Sequence, residues 1–270
     1  MRQRLVLLGM LFLLLAIVGI TVSMFSGKVK VEEVDTAVDF TDADTTEALE
    51  DEPEVYTIVL DSGHSTYNAG AHGIVNEEDI TASTTEYLRL ILESDPNFEV
   101  ILTHEYDDYI GIAARRQVAI DNEADFFISI HCNINADDSD ATGFEVYAQL
   151  PENVNYAASY QVASYIADAF IEAGHTPRTG TGIFYCRYVT DENGNDLTYT
   201  LTEYDESVTD YGGETYGVIK SDEYPGILVE QGYVNSQTDV ENWMSEAGMQ
   251  KAAQIYYAAL CDYFGTEPLV

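Results

Sequence analysis

Short apolar runs alternate with stretches of helical period along most of the chain. Two of these runs, residues 57–60 and 126–130, are rich in β-branched and aromatic residues, and a histidine follows each one closely, His64 or His131. The alternation predicts a single α/β domain with a mostly parallel central sheet flanked by helices. Such sheets bind their ligands beyond the carboxyl ends of the strands, so both imidazoles are expected at one sheet edge. We predict strands at 56–61, 98–103, 126–131, 143–148 and 227–230, and helices at 79–94, 110–123, 156–173 and 247–264.

The N-terminal part differs in pattern from the rest. Residues 5–25 contain no charged side chain. This stretch is long enough for a helix that spans a bilayer. We interpret residues 1–30 as an uncleaved signal anchor, because the apolar core is longer than that of a cleaved signal peptide. Residues 31–54 are acidic and aperiodic, which indicates a disordered linker or a plain acidic tail. The folded domain is therefore expected over residues 55–270.

The pattern weakens between residues 174 and 223, where Gly, Thr, Asp and Tyr are frequent. Residues 191–196 have strong turn character and could form the tip of a hairpin. We expect irregular structure in this region, over the functional site.

The charge balance narrows the choice of partners. The chain has 11 basic and 48 acidic residues, and only seven of the basic residues follow position 31. Such a surface repels phosphates, so we expect no nucleic acid partner. It favours a neutral or cationic substrate, or one held by a few local contacts. The three cysteines indicate no disulfide framework, and we interpret Cys132 as an apolar strand residue rather than a ligand.

Four side chains form a candidate catalytic constellation: His64, Glu77, His131 and Glu230. Two histidines and one carboxylate, with a fourth position left for water, make up a typical catalytic zinc site. A further carboxylate at a strand end, Glu230, is placed to move the proton of that water. Each residue alone has a simpler interpretation. A single strand-end histidine is more often structural, and Glu77 lies in an acidic loop, where a solvated carboxylate is the default. Glu230 is harder to dismiss, because glutamate is seldom buried without a partner.

Six segments share their order and spacing with one known family. They are 58–71, 73–81, 102–112, 124–133, 143–147 and 227–236. In these segments the chain resembles the zinc-dependent N-acetylmuramoyl-L-alanine amidases. The resemblance covers about residues 55–264.

The resemblance implies specific roles for the four residues. It implies a Zn²⁺ ion held by His64, Glu77 and His131 at the carboxyl edge of the sheet, with Glu230 as the catalytic carboxylate. Glu77 is chosen over Glu78 because the family's ligand is followed by a lysine-like position and then an aspartate. The implied reaction is peptidoglycan hydrolysis at the amide between N-acetylmuramic acid and L-alanine.

The chain also departs from the family pattern near the first histidine. Ser62 and Ser65 stand where the family usually has proline and glycine, and His104 stands where arginine is usual. These changes concern loop geometry and substrate preference, since the implied metal ligands are all present.

The uncharged stretch indicates a single-pass membrane protein whose catalytic domain lies outside the cytoplasm. The resemblance implies that the membrane is the bacterial cell membrane. If the signal is cleaved, the protein is secreted. Peptidoglycan is the expected substrate, and a regulatory protein partner stays open. Two alternatives also stay open: another zinc peptidase or amidohydrolase, and a catalytically silent cell-wall regulatory module.

Overall fold

The computed structural model describes residues 54–136, 141–190, 194, 196–201 and 214–269. The predicted anchor, and the predicted linker up to residue 53, lie outside these residues. Among the helices of the described part, none combines the length and the apolar character needed to cross a membrane.

Strands and helices alternate over residues 56–133, after which one strand follows another directly. The strands are β1 Tyr56–Ser62, β2 Phe98–Leu102, β3 Phe126–Asn133, β4 Glu145–Ala148, β5 Ile183–Thr190, β6 Asp196–Leu201 and β7 Gly226–Tyr233. The helices are α1 Glu77–Glu93, α2 Ile112–Asp121, α3 Tyr156–Glu172, α4 Gln237–Trp243 and α5 Glu246–Phe264.

The strands form one sheet in the order β2-β1-β3-β7-β4-β5-β6. The first four are mutually parallel, β4 runs antiparallel to β7, β5 is parallel to β4, and β6 is antiparallel to β5. The predicted mostly parallel α/β fold is confirmed. Because β1, β3 and β7 are parallel neighbours, their carboxyl ends lie side by side at one edge of the sheet.

The sheet is buried on both faces, which explains why its central strands are continuously apolar. In β1, Ile58 and Leu60 belong to the core cluster that contains Leu88 of α1. Val59 points to the opposite face and packs in the cluster that contains Ala119 of α2. Each such buried aliphatic side chain contributes about 1.5–3 kcal/mol. The two layers of helices thereby hold the strand ends in fixed register.

The prediction of irregular structure across residues 174–223 is wrong for two segments. Strands β5 and β6 pair antiparallel from Tyr185↔Leu201 to Thr190↔Asp196. Their stability comes from cross-strand pairing, which a local period does not reveal, and β5 continues the sheet beside β4. Of the predicted hairpin tip, residues 191–193 and 195 lie outside the described part of the chain.

The predicted start of the first helix is wrong by two residues. We expected the helix to begin at position 79 and Glu77 to lie in the preceding loop, but α1 begins at Glu77 itself. Asn76, in extended conformation, is the N-cap, and three acidic residues occupy the first turn. Negative charge at that position is favourable because it faces the positive end of the helix dipole.

A buried ion pair joins β1 to α2 beneath the loop that follows β1. Asp61 Oδ1 accepts hydrogen bonds from Arg115 Nη1 at 2.9 Å and from Thr103 Oγ1 at 2.7 Å, and Asp61 Oδ2 accepts one from Ser129 Oγ at 2.7 Å. Arg115 Nη1 also donates to the Ser62 carbonyl at 2.7 Å. The pair therefore fixes the exit of the chain from β1.

We predict that Arg115→Met destabilises the protein by about 3 kcal/mol, because Asp61 would stay buried without its cation. Urea denaturation measures this change. The matched variant is Arg116→Met, which removes a partly exposed guanidinium that donates to the Lys220 carbonyl. Arg116→Met should lower the free energy of unfolding by less than about 1 kcal/mol. Equal losses of stability in Arg115→Met and Arg116→Met would contradict the role given to the buried ion pair.

Candidate metal centre

The first predicted ligand, His64, lies two residues beyond the end of β1. Its backbone is in the left-handed region with φ 68°, which is unusual for a residue other than glycine. Two hydrogen bonds to the His64 carbonyl hold this conformation, from His104 Nε2 at 2.8 Å and from Arg115 Nη2 at 3.4 Å. His104 thus supports the loop from below and does not belong to the cluster of candidate ligands.

The second predicted ligand, Glu77, is held by main-chain donors from two other segments. Its Oε2 accepts a hydrogen bond from the Ala71 amide at 2.7 Å, and its Oε1 accepts one from the Cys132 amide at 3.0 Å. The same oxygens face the two predicted histidines, with Oε1 2.9 Å from His131 Nδ1 and Oε2 3.3 Å from His64 Nε2. The carboxylate is therefore oriented before any ion binds.

His64, Glu77 and His131 form a cluster whose potential ligand atoms all lie within 4.8 Å of one another. The donor set, two imidazoles and a carboxylate, suits Zn²⁺ and leaves a fourth position for water. Within the described part of the chain, the buried His64 Nδ1 has no hydrogen-bond partner. Outer hydrogen bonds that orient a ligand, as at Glu77, are a regular feature of metal sites. The three residues thus fit a zinc ion.

Glycines bring the loop that follows β1 close to this cluster. A Cβ at Gly63 would lie 2.6 Å from two ring atoms of His131, and one at Gly70 would lie 2.6 Å from His64 Cδ2. Real Cβ atoms do not approach other atoms so closely, so the imidazoles occupy space that a side chain at either glycine would need. The close approach of the imidazoles explains why residues 63 and 70 are glycines.

The electrostatics of the cluster follow from its partial burial. Burial by itself raises the pKa of Glu77, but the hydrogen bonds and charges of His131 and His64 outweigh it, and the pKa is well below its usual range. For His64, burial lowers the pKa, but the contact with Glu77 dominates and the pKa is raised. Glu77 is therefore an anion, as a metal ligand must be.

Glu230 lies on β7 opposite His131 in the parallel pairing with β3. Its Oε2 is buried and has no hydrogen-bond partner among the described residues. Burial, followed by the negative charges of Glu77 and Glu145, raises the pKa of Glu230 well above its usual range. Such a carboxyl group binds a proton more readily than an ordinary glutamate, which suits it to accept one from water.

A cavity of about 380 Å³ connects Glu230 to the two histidines. Its other wall consists mainly of apolar side chains and glycines from three segments of the chain. They are Tyr109, Ile110, Gly111, Ile112, Tyr216, Gly217, Val218 and Leu228. Residues 216–218 come from the region that we expected to lie over the site, and Gly217 packs directly against Ile112.

Sequence reasoning missed Glu145, which lies opposite Glu230 on the antiparallel neighbour β4. Glu145 is fully buried, and its Oε1 accepts hydrogen bonds from Asn133 Nδ2, Arg178 Nη1 and Tyr233 Oη, each at 2.9 Å. The other carboxylate oxygen accepts a bond from Tyr147 Oη. The signal in the sequence was a glutamate inside the apolar run of residues 143–148. Its donors come from distant segments and left no local pattern.

Fold and site together define an α/β protein with a His–Glu–His cluster, at the carboxyl edge of its sheet, that could hold a metal ion. The sequence profile of the N-acetylmuramoyl-L-alanine amidase family matches residues 58–262. The chain belongs to this family.

Curated relatives carry related names. The chain is 24% identical over 230 residues to the probable N-acetylmuramoyl-L-alanine amidase AmiB of Haemophilus influenzae, covering 76% of this chain and 51% of that protein. It is 26% identical over 227 residues to N-acetylmuramoyl-L-alanine amidase AmiC of Escherichia coli, covering 77% and 52%. The chain therefore spans about half the length of these two relatives.

Solved structures share the fold. The catalytic domain of CwlV, an N-acetylmuramoyl-L-alanine amidase from Paenibacillus polymyxa, superposes with a TM-score of 0.61 at 25% identity, covering 79% of this chain and all of that one. An N-acetylmuramoyl-L-alanine amidase from Clostridium difficile has a TM-score of 0.63 at 18% identity, covering 79% and 99%. The second comparison supports the fold alone.

We predict that His131→Ala loses zinc, because it removes one of the three proposed ligands. The affinity for zinc should fall by about 10-fold to 100-fold or more. Zinc content by mass spectrometry of metals measures this, and added zinc should raise the Tm of the wild type but not of the variant. The control is His72→Ala, a half-exposed histidine that contacts Glu78 and lies outside the cluster. Loss of zinc in the control, or full zinc in His131→Ala, would refute the assignment.

Proposed function

We propose that this protein is a zinc-dependent peptidoglycan hydrolase that cleaves the amide between N-acetylmuramic acid and the L-alanine of the stem peptide. The observation that carries the proposal is that His64, His131 and Glu230 line one cavity while Glu77 contacts both histidines, in a chain that belongs to the amidase family. Variants of these four residues are sufficient to test the proposed function.

The ligand set of the proposed centre is His64, Glu77 and His131. A zinc ion bound there supplies Lewis-acid chemistry, because it polarises a carbonyl oxygen and lowers the pKa of water. The chain itself orients the ligands through the Ala71 and Cys132 amides, which hold both oxygens of Glu77.

Glu230 is the proposed catalytic carboxylate. It takes a proton from the attacking water as the new C–O bond forms at the lactyl carbonyl carbon. It then gives that proton to the nitrogen of L-alanine as the C–N bond breaks, leaving a lactyl carboxylic acid and a free peptide amine, which ionise in water to a carboxylate and an ammonium group. Glu230 Oε2 accepts no hydrogen bond from the residues that the structure describes, which supports its availability for the transfer.

We predict that Glu230→Gln lowers kcat by about 10²–10⁴-fold, since general acid–base catalysis contributes that much. Zinc content should not change, because Glu230 is not among the proposed ligands. The control is Glu99→Gln, which removes an exposed carboxylate from β2. Release of stem peptide from purified cell walls, followed by mass spectrometry, gives the rate.

The products separate the proposal from its alternatives. An amidase frees the whole stem peptide with an unblocked L-alanine, whereas a carboxypeptidase-like enzyme removes only residues from the free peptide end. A catalytically silent module gives neither product. Either of these last two results with zinc-loaded protein would overturn the proposed function.

We also propose that residues 1–30 anchor the protein in the bacterial cell membrane, with residues 31–54 as a linker to a catalytic domain outside the cytoplasm. The uncharged stretch 5–25 supports this arrangement. We predict that the full-length chain stays in the membrane fraction after a carbonate wash, and that deletion of residues 1–30 releases it. Recovery of a shortened, soluble protein from the full-length gene would instead indicate cleavage of the signal.

A further inference from the structure

Two exposed apolar side chains line the cavity beside the proposed metal centre. Tyr109 is 64% exposed and Ile112 is 56% exposed. Gly111, which lies between them in the chain, also lines the cavity. Apart from its chain neighbours, no atom of the described residues lies within 4 Å of a Cβ placed at Gly111, so the space beside it is open. Exposed apolar groups at an open cavity commonly mark a ligand-binding surface. We call Tyr109, Gly111 and Ile112 the apolar shelf.

The main chain of this segment is poorly suited to bind a peptide. The Gly111 carbonyl accepts hydrogen bonds from the amides of Ala114 and Arg115, at 2.9 and 3.1 Å. The Ile110 carbonyl accepts one from Arg115 Nε at 3.3 Å. An extended peptide is typically bound through main-chain hydrogen bonds, and these two carbonyls are already engaged. The shelf therefore offers mainly its side chains to a ligand.

The strand order indicates which part of the proposed substrate reaches the shelf. In the sheet, β7 lies on one side of β3, and β1 and then β2 lie on the other. Glu230 is on β7, whereas Tyr109 belongs to the segment that connects β2 to α2. The proposed transfer of a proton from Glu230 to the alanine nitrogen requires that this nitrogen lies towards β7. The acyl side of the amide, which carries the sugar, then extends towards β2 and the shelf.

We propose that the apolar shelf binds the pyranose ring of N-acetylmuramic acid, with the ring of Tyr109 against one face of the sugar. That face presents C–H groups, which pack favourably on the slightly negative face of an aromatic ring. Tyrosine suits this position because its ring is apolar while its hydroxyl can stay hydrated. Ile112 extends the apolar surface, and the open space beside Gly111 leaves room for the sugar. The inference rests on the proposed amidase function and adds a binding site for the sugar.

The test compares two substrates that share the scissile amide. One is an N-acetylmuramoyl-L-alanyl peptide, and the other is the matching lactoyl-L-alanyl peptide, which lacks the sugar ring. With zinc-loaded full-length protein, we expect Tyr109→Ala to raise KM for the muramoyl peptide by about fivefold to tenfold, the effect of losing one aromatic contact. Its kcat for this peptide should not change, and neither should KM or kcat for the lactoyl peptide.

Further variants separate a sugar contact from a change in folding. Tyr109→Phe keeps the ring and should keep the KM of the wild type. Gly111→Leu fills the open space and should raise KM more for the muramoyl peptide than for the lactoyl peptide. The backbone at Gly111, with φ −76° and ψ 161°, accepts a side chain without strain. The matched control is Tyr67→Ala, which removes another exposed tyrosine, outside the cavity lining, and should leave both KM values unchanged.

The outcomes separate this inference from the proposed function. An equal rise of KM for both substrates in Tyr109→Ala would indicate that the shelf binds the peptide. That result, or no rise for either substrate, overturns the sugar site and leaves the amidase function standing. Equal effects of Tyr109→Ala and Tyr67→Ala overturn the assignment of the sugar to the shelf. If the wild type cleaves neither substrate, the amidase function is overturned, and the sugar site with it.

Discussion

The proposed metal centre depends on one buried carboxylate, that of Glu77, which is only 4% exposed. Removing such an anion from water is costly, and the cost is offset only when its oxygens are fully paired. Here each oxygen receives a main-chain amide and faces an imidazole. The amides belong to the loop after β1 and to β3, and the carboxylate belongs to α1. A single side chain thereby ties together the three segments that bear the candidate ligands.

Much of this arrangement could be predicted because parallel strands impose it. Apolar runs that end in His64, His131 and Glu230 belong to neighbouring strands, and parallel neighbours bring their carboxyl ends to one edge. The sequence therefore contained the fold class and the residues that meet. It also contained the start of α1, since Asn76 and the acidic first turn are helix-start signals, although the prediction placed Glu77 in a loop.

The rest was out of reach because it depends on contacts between distant segments. The hairpin of β5 and β6 is stabilised across strands, and its own residues carry no strong period. Glu145 looks like any strand residue until Asn133, Arg178 and Tyr233 are brought around it. Likewise, the cavity wall joins residues 109–112 to residues 216–218, which are about a hundred positions apart in the sequence.

The central claim is that one zinc ion binds between His64, Glu77 and His131. Anomalous X-ray diffraction at the zinc absorption edge, from crystals of the zinc-loaded protein, tests it most directly. The account predicts one strong peak within about 2.0–2.2 Å of a nitrogen of each histidine and an oxygen of Glu77. A peak at another set of side chains, or no peak among these three, would contradict it.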